Sequence, residues 1–169
     1  TRPARAVADV PGSLSNEAFW QLVTGASEAG GNFSSNNWVS NEVLFQTVLP
    51  DLSSRVATGG VYLGVGPDQN FTYIAALRPK IVFIVDIRRL NVFQHLYYKS
   101  LFELSADRAA FLSLLFARQR PAGLTSTMTP DSLIMAYAEA VPDSALYRRT
   151  LATLKQHITQ TRGIPLTED

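Results

Sequence analysis

A glycine-containing turn and an acidic residue about twenty positions downstream are the features of this sequence most suited to ligand binding. Gly64 and Gly66 follow the apolar residues 61–63, and Asp86 follows the apolar run 81–85. Glycine lets backbone N–H groups approach a ligand without an intervening Cβ. An acid at the end of the second strand can accept hydrogen bonds from both ribose hydroxyls. This spacing predicts a nucleoside-binding crevice; a tight turn followed by a helix-capping Asp is the alternative.

The charge of Asp68 discriminates between ligand types, because this residue lies in the first turn of the helix that follows the glycines. A pyrophosphate gains from the positive end of a helix dipole, but an acid in that turn repels a second anion. An ammonium group would instead be attracted to Asp68. We therefore expect a non-phosphorylated nucleoside that carries an ammonium group, with simple stabilisation of the helix dipole as the alternative role.

Residues 25–41 combine a glycine-rich start with a polar body, which suits a mobile cover over a pocket. Trp38 can stack on a flat ligand, and Asn36, Asn41 and Glu42 are the candidates for substrate contacts. The alternative is that this segment is only a surface connection between two elements.

Two adjacent arginines and two histidines carry weaker signals. Arg88 and Arg89 could contact a ligand carboxylate or a 2′-phosphate, although solvation or pairing with neighbouring acids is the favoured interpretation. His95 and His157 lack a second histidine or a carboxylate at metal-binding spacing. We therefore predict no metal site, and we assign no catalytic residue.

These candidates depend on a strand, a helix and a second strand that together form a βαβ unit. Residues 61–63 predict the first strand, Pro67 suits the first position of the helix, and the run 81–85 predicts a strand buried on both faces of a parallel sheet. Residues 124–128 offer a weak third strand, whereas sheets usually have about five. We expect further strands to come from a missing C-terminal part of the same protein or from a homo-oligomer.

Helical patterns account for most of the remaining chain. Helices are predicted to begin at residues that can act as N-caps or open the first turn, namely Ser15, Ser40, Ser105, Thr129 and Ser144. The expected organisation is a helical N-terminal region with a loop at residues 1–58, a βαβ nucleoside-binding core at 59–104 and a helical region at 105–169. The fold class is therefore α/β and Rossmann-like, with an incomplete doubly wound sheet.

Composition excludes several functional classes. Fifteen Lys and Arg against fourteen Asp and Glu leave a net charge of +1, which gives no electrostatic basis for gripping nucleic acid or an anionic membrane. The apolar run 81–85 is far shorter than the ~20 residues of a membrane-spanning helix. The absence of cysteine excludes disulfides, thiolate nucleophiles and Cys-type zinc sites. We expect a small-molecule ligand as the partner.

Residues 61–67, the helix after them and residues 82–86 resemble the first two motifs of the Rossmann-like S-adenosylmethionine-dependent methyltransferases. The resemblance implies S-adenosylmethionine as the cofactor, with Gly64 and Gly66 beside its methionine part and Asp86 on its ribose. More broadly, residues 59–103, together with residues 40–42 and the helix beginning near Ser105, look like a group of largely uncharacterised bacterial proteins, some with export signals, in which the chain continues further.

This sequence departs from the methyltransferase pattern at two positions. Those enzymes usually have an acid two residues before the first motif glycine and a glycine two residues after the second, where this chain has Tyr62 and Asp68. Two functions therefore stay open: a methyltransferase-like enzyme with an unidentified acceptor, and a non-catalytic binding or structural protein on a degenerate scaffold. An NAD-type oxidoreductase is a third, weakened because Gln69 replaces the third glycine of a dinucleotide motif.

The two ends of the chain suggest a piece of a longer protein. Residues 1–11 are rich in Ala, Pro and Arg without an apolar core and begin without Met, as after removal of a leader. Residues 167–169 have the pattern of a new helix start, with a frayed polar tail as the alternative. The sequence is compatible with both a cytoplasmic and an exported protein.

Overall fold

The computed structural model describes residues 11–31, 33–34 and 38–166. Within that part the chain forms two units, one up to Gln94 and one from His95 onward, and their boundary falls inside a helix. Both strands found among the described residues belong to the first unit, and the second unit is helical.

The first unit contains helices on both sides of a strand–helix–strand segment. Helix α1 spans Asn16–Gly25, a 3-10 helix spans Phe45–Val48, α2 spans Leu49–Arg55, β1 spans Val61–Val65, α3 spans Gln69–Leu77 and β2 spans Ile81–Val85. Helix α4, Leu90–Leu104, begins in this unit and ends in the next. The second unit continues with α5, Arg108–Phe116, α6, Pro130–Glu139, α7, Ser144–Gln156, and a π-helical turn, His157–Thr161.

Side-chain caps explain where several helices begin. Ser15 Oγ accepts the backbone N–H of Ala18 at 3.1 Å at the start of α1, and Thr129 Oγ1 accepts that of Ser132 at 3.3 Å at the start of α6. These bonds satisfy N–H groups that have no partner inside the helix. The predicted helix starts at Ser15 and Thr129 are confirmed.

Two predicted helix starts are wrong. Ser40 Oγ accepts the backbone N–H of Glu42 at 3.1 Å, which forms a turn, and regular helical structure begins only at Phe45. Near Ser105 the cap is Asp107, whose carboxylate accepts the N–H of Ala110 at 2.7 Å. In both places a short polar side chain bonds to nearby backbone, which is a pattern that turns and caps share.

Strands β1 and β2 pair in parallel, with Val61 beside Ile81 and Val65 beside Val85. The predicted strand–helix–strand unit is therefore confirmed, in a mixed α/β chain with a two-stranded sheet among its described residues. The weak third strand at residues 124–128 is wrong, because this segment is turn and its carbonyls at Ser126 and Met128 accept hydrogen bonds from Arg108.

One face of this sheet is exposed, contrary to the expectation that β2 is buried on both faces. Leu63 of β1 is 70% exposed, and Val61, Val65, Phe83 and Val85 on the same face are exposed as well. The opposite face carries Tyr62, whose hydroxyl bonds to a side chain of α3. Because α3 covers only that side, the expected burial of both faces is not found in the described residues.

Buried residues differ sharply in chemistry between the two units. Among the described residues up to Gln94, the only buried side chains beyond glycine and proline are the amides of Asn70, Asn91 and Gln94. The second unit instead buries Leu101, Leu133, Tyr137, Leu154 and Ile164, and the Tyr137 hydroxyl donates to the Ala109 carbonyl at 2.6 Å. The second unit therefore has an apolar core, whereas the first is centred on amide hydrogen bonds.

A carboxylate beside three basic side chains joins α4 to residues 157–162 in the second unit. Glu103 at the end of α4 contacts Lys99 at 2.7 Å, His157 Nε2 at 2.8 Å and Arg162 Nε at 2.9 Å. Burial by itself would raise the pKa of Glu103, but the hydrogen bonds from His157, Lys99 and Arg162 outweigh it and lower the pKa from 4.5 to about 2. Ionised Glu103 therefore stabilises this unit.

We expect Glu103→Gln to lower the free energy of unfolding by about 1–2 kcal/mol at pH 7. Because the folded-state pKa lies below the unfolded-state value, the contribution of Glu103 is present above pH 4.5 and is lost as the pH falls toward 2. Urea unfolding of both proteins from pH 7 to pH 2 measures the difference, which should shrink progressively below pH 4.5 as Glu103 becomes protonated. Glu139→Gln, at an exposed residue without a salt bridge to another described residue, is the matched control.

Candidate functional site

A backbone hydrogen bond holds the turn after β1 against the end of β2. Gly66 has φ of +85°, and its N–H donates to the Val85 carbonyl at 3.1 Å. A residue with a Cβ would be strained in this left-handed conformation. The glycine thus lets the chain turn directly beside the last residue of β2.

The structure brings Gly66 and Asp86 together. An ideal Cβ built on Gly66 would lie 3.7 Å from Asp86 Oδ2 and 3.4 Å from the Gln69 side-chain nitrogen. The bare α-carbon and the carboxylate therefore share one edge of the sheet, at the carboxyl ends of two parallel strands. Ligands of open α/β sheets bind outside this edge.

The Asp86 carboxylate is already hydrogen-bonded by the protein. Its Oδ1 accepts the Arg88 N–H at 2.8 Å and Arg88 Nε at 3.0 Å, while Oδ2 accepts Arg88 Nη2 at 3.0 Å and Asn91 Nδ2 at 2.7 Å. The side chain of Asp86 is 8% exposed. The hydrogen bond from the Arg88 side chain is the main reason why the pKa of Asp86 lies below its usual value. Asp86 is therefore ionised at neutral pH, with all of its approximately four acceptor positions occupied.

Gly64 makes room for the protein's own side chains. A Cβ at this position would lie 2.0 Å from Asn70 Oδ1 and 2.6 Å from Tyr62 Cε1. Both distances are far below van der Waals contact. The space beside Gly64, which the sequence analysis assigned to a ligand, is filled by Asn70 and Tyr62.

Asn70 is the site residue that sequence reasoning missed. It is 1% exposed, and its Nδ2 lies 3.1 Å from the Val65 carbonyl, 3.2 Å from that of Gly66 and 2.8 Å from that of Pro67. Its Oδ1 accepts the Tyr62 hydroxyl at 2.7 Å. One amide thus satisfies the consecutive carbonyls of the turn. An Asn in the first turn of a helix that follows a glycine turn is the signal that could have identified it.

Residues 38–40, called segment 38–40 below, are hydrogen-bonded to this edge of the sheet by two side chains. Asp68 Oδ1 accepts the backbone N–H of Ser40 at 3.1 Å, and Gln94 Nε2 donates to the Trp38 carbonyl. Gln94 is buried, and its Oε1 has no hydrogen-bond partner among the described residues. Asp68, which the structure places at the N-cap of α3 and not in the predicted first turn, therefore anchors segment 38–40 to the start of that helix, and α4 anchors it through Gln94.

The remaining predicted contact residues are placed as follows. The Trp38 side chain is 44% exposed, which leaves part of its ring available for stacking. Asn41 and Glu42 are exposed, and no side-chain contact joins either of them to the Asp86 carboxylate. Asn36 lies outside the described residues. Two parts of the predicted cover are thus connected to the site: segment 38–40, and Phe33, whose ring centroid lies 5.9 Å from the guanidinium carbon of Arg88.

Two kinds of feature, a cluster of metal-ligating side chains and a helix that could span a membrane, are absent from the part of the chain that the structure describes. No cluster of three His, Asp or Glu side chains there has a geometry that could hold a metal ion. No helix in the described ranges is long and apolar enough to cross a membrane.

Comparison with known proteins gives one family match. The model of the family described as Domain of unknown function (DUF7790) matches residues 37–161, which include segment 38–40, both strands and the Asp86 loop. No curated protein and no solved structure matches the chain.

Substitution Gly64→Ala should destabilise the protein by about 2–4 kcal/mol, because the added methyl group would overlap Asn70 Oδ1 and force it off the turn. Gly60→Ala is the matched control, since a Cβ at Gly60 meets nothing within 4 Å, and it should change stability by no more than about 0.5 kcal/mol. Urea unfolding measures both. Equal stabilities of the two variants would contradict the packing role of Gly64.

Proposed function

The chain belongs to the DUF7790 family, and we propose that it binds a nucleoside-type ligand, S-adenosylmethionine, at the carboxyl ends of β1 and β2 on a Rossmann-like core. The single observation that supports this proposal is the position of the Asp86 carboxylate beside the bare α-carbon of Gly66. A backbone without a side chain next to an ionised acid suits a ribose, whose hydroxyls donate to the carboxylate.

Arg88 occupies the position that a ribose would take. Its Nε and Nη2 approach the two oxygens of Asp86 at 3.0 Å each, which is a forked donor arrangement. Two adjacent ribose hydroxyls would present the same pair of donors. The ligand therefore binds by exchange, as its diol replaces the guanidinium while Asn91 keeps its bond to Oδ2.

Charge near the turn favours a ligand with a positive group over one with phosphates. Asp68 and Asp86 are both acids at the edge where α3 begins, so an anionic pyrophosphate would be repelled. The side chain of Gln69, with Nε2 bonded to the Val65 carbonyl at 3.1 Å, also lies against the turn that a dinucleotide would have to approach closely. The ammonium and sulfonium groups of S-adenosylmethionine suit this field better than the pyrophosphate of NAD.

Methyl transfer is the chemistry that such a ligand would support. The reaction depends mainly on orientation of donor and acceptor, so it does not require a dedicated catalytic side chain. We assign stacking on the base to the Trp38 ring, because this residue is partly exposed and lies on the segment held by Gln94. We assign no acceptor and no catalytic residue.

A non-catalytic scaffold is the second candidate, and a specific observation favours it. The Asp86 carboxylate and the space beside Gly64 are both filled by the protein's own side chains. In this alternative Asp86 serves only to fix Arg88, Asn91 and the start of α4.

Calorimetric titration with S-adenosylmethionine distinguishes the two candidates. We expect Asp86→Ala to weaken binding at least tenfold, because the ribose loses its acceptor, and Arg88→Met to strengthen it, because the competing guanidinium is removed. Asp51→Ala, at an exposed acid paired with Arg55, is the control and should bind like the unchanged protein.

The outcome that contradicts the nucleoside proposal is equally specific. If millimolar S-adenosylmethionine gives neither heat nor thermal stabilisation with the unchanged protein or with Arg88→Met, the scaffold alternative holds. The Arg88→Met variant separates a blocked site from an absent one, since it lacks the side chain that fills the ribose position.

A further inference from the structure

A cleft of about 210 Å³ lies in the first unit between the end of α1, residues 27–29 and the start of α4. Its walls include two aromatic rings, two aliphatic side chains and two charged groups, from Trp20, Phe93, Val23, Val92, Glu28 and Arg89. Gly66, Asp68 and Asp86 do not line it. The cleft is therefore separate from the nucleoside site, and an inference about it does not depend on the proposed function.

Arg89 has two close neighbours at the cleft. Its guanidinium carbon lies over the Phe93 ring, 5.9 Å from the centroid. A Cβ at Gly30 would lie 3.0 Å from Arg89 Cδ, so the glycine lets the backbone pass close to the arginine stem. Stacking and close backbone contact restrict the rotamers of a side chain that is otherwise flexible.

The charge of Arg89 has no ionic partner in the described part of the chain. Neither a salt bridge nor a side-chain hydrogen bond joins Arg89 to another described residue, although Glu28 lines the same cleft. The preceding residue, Arg88, shows the contrast, because its Nε and Nη2 both donate to the Asp86 carboxylate. A cation fixed against an aromatic ring without a carboxylate partner is suited to binding an anion from solution.

The size and walls of the cleft define the rest of the ligand. Its volume corresponds to about seven water molecules at ~30 Å³ each, below the roughly 300–1,000 Å³ of pockets for drug-sized ligands. That is room for one ring and a short substituent. Trp20 and Phe93 offer aromatic surface for a flat ring, and Val23 and Val92 complete the apolar wall.

We infer that this cleft binds a small aromatic carboxylate, whose carboxylate pairs with the Arg89 guanidinium and whose ring packs between Trp20, Val92 and Phe93. The planar guanidinium fork matches a carboxylate in a bidentate pair, which a neutral ligand cannot form. Glu28 is an exposed negative charge in the same cleft, so it weakens the binding of any anion there.

The test uses the full chain and sodium benzoate as the probe. The Trp38→Phe variant leaves Trp20 as the only tryptophan, so that quenching of its fluorescence reports on the cleft. We expect saturable quenching at millimolar benzoate, at least tenfold weaker binding in Arg89→Met, and about twofold tighter binding in Glu28→Gln. Benzamide, which has the same ring without the charge, should bind at least tenfold more weakly than benzoate.

Two controls keep the result specific to the cleft. Arg148→Met removes the same charge from an exposed residue that does not line the cleft, and it should leave benzoate binding unchanged. Far-ultraviolet circular dichroism confirms that each variant is folded. Three results would overturn the inference. They are equal benzoate affinity in Arg89→Met and the protein with Arg89, benzamide binding as tight as that of benzoate, and no saturation by about 20 mM benzoate, roughly the weakest affinity of interest.

Discussion

The amide of Asn70 sets the geometry of the first unit. Its nitrogen binds the carbonyls of Val65, Gly66 and Pro67, and its oxygen binds the Tyr62 hydroxyl, at a position almost closed to solvent. Leaving a buried carbonyl without a donor costs about 1–3 kcal/mol, and the Val65 carbonyl has a second donor in Gln69 Nε2 at 3.1 Å. Because Asn70 must sit directly against β1, position 64 has no room for a side chain, and the turn is fixed beside β2. The hydrogen bonds of this one amide therefore fix the turn at the edge of the sheet where the candidate site lies.

A second set of polar bonds joins distant parts of the sequence to that edge. Asp86 holds Arg88 and Asn91, Gln94 holds the Trp38 carbonyl, and Asp68 holds Ser40. Buried polar networks specify one arrangement because a displaced member loses bonds that water cannot replace. The first unit uses this device in place of the apolar packing found around Tyr137 in the second. Its stability and the shape of the candidate site therefore rest on the same hydrogen bonds.

The strand–helix–strand unit could be predicted from the sequence, because alternation and β-branched runs report directly on local structure. The strand at Ile81–Val85 and the turn at Gly66 are examples. Side-chain partners could not be predicted in the same way. The sequence shows that position 64 is glycine but not whether a ligand or Asn70 fills the space, since that choice depends on the packing of α3. The cap at Asp107 was missed for a similar reason, because Ser105 offers the same chemistry two residues earlier.

Burial of the sheet was the larger failure of prediction, and its cause is physical. A continuous apolar run such as β2 is typical of a strand covered on both sides, yet Phe83 and Val85 are exposed in the described structure. An apolar run shows that a strand favours burial on both faces, but it does not show which segment covers each face. Residues 124–128 show the same limit of the sequence pattern. The carbonyls of Ser126 and Met128, which a strand would pair with a neighbouring strand, instead accept hydrogen bonds from Arg108.

In the proposed nucleoside site, the hydrogen bonding of Asp86 would determine how strongly a ribose binds. Displacing the Arg88 guanidinium breaks two charge-assisted hydrogen bonds, each contributing about 1.5–3 kcal/mol, and two new bonds from a diol replace them at similar strength. The exchange is therefore nearly neutral at the carboxylate itself. Affinity must come from contacts that the free protein does not make, such as stacking on the partly exposed Trp38 ring and attraction of a positive group to Asp68. A nucleoside without a cationic group would gain only the stacking contribution to affinity. The charge of the ligand would therefore decide whether its affinity at this edge is appreciable.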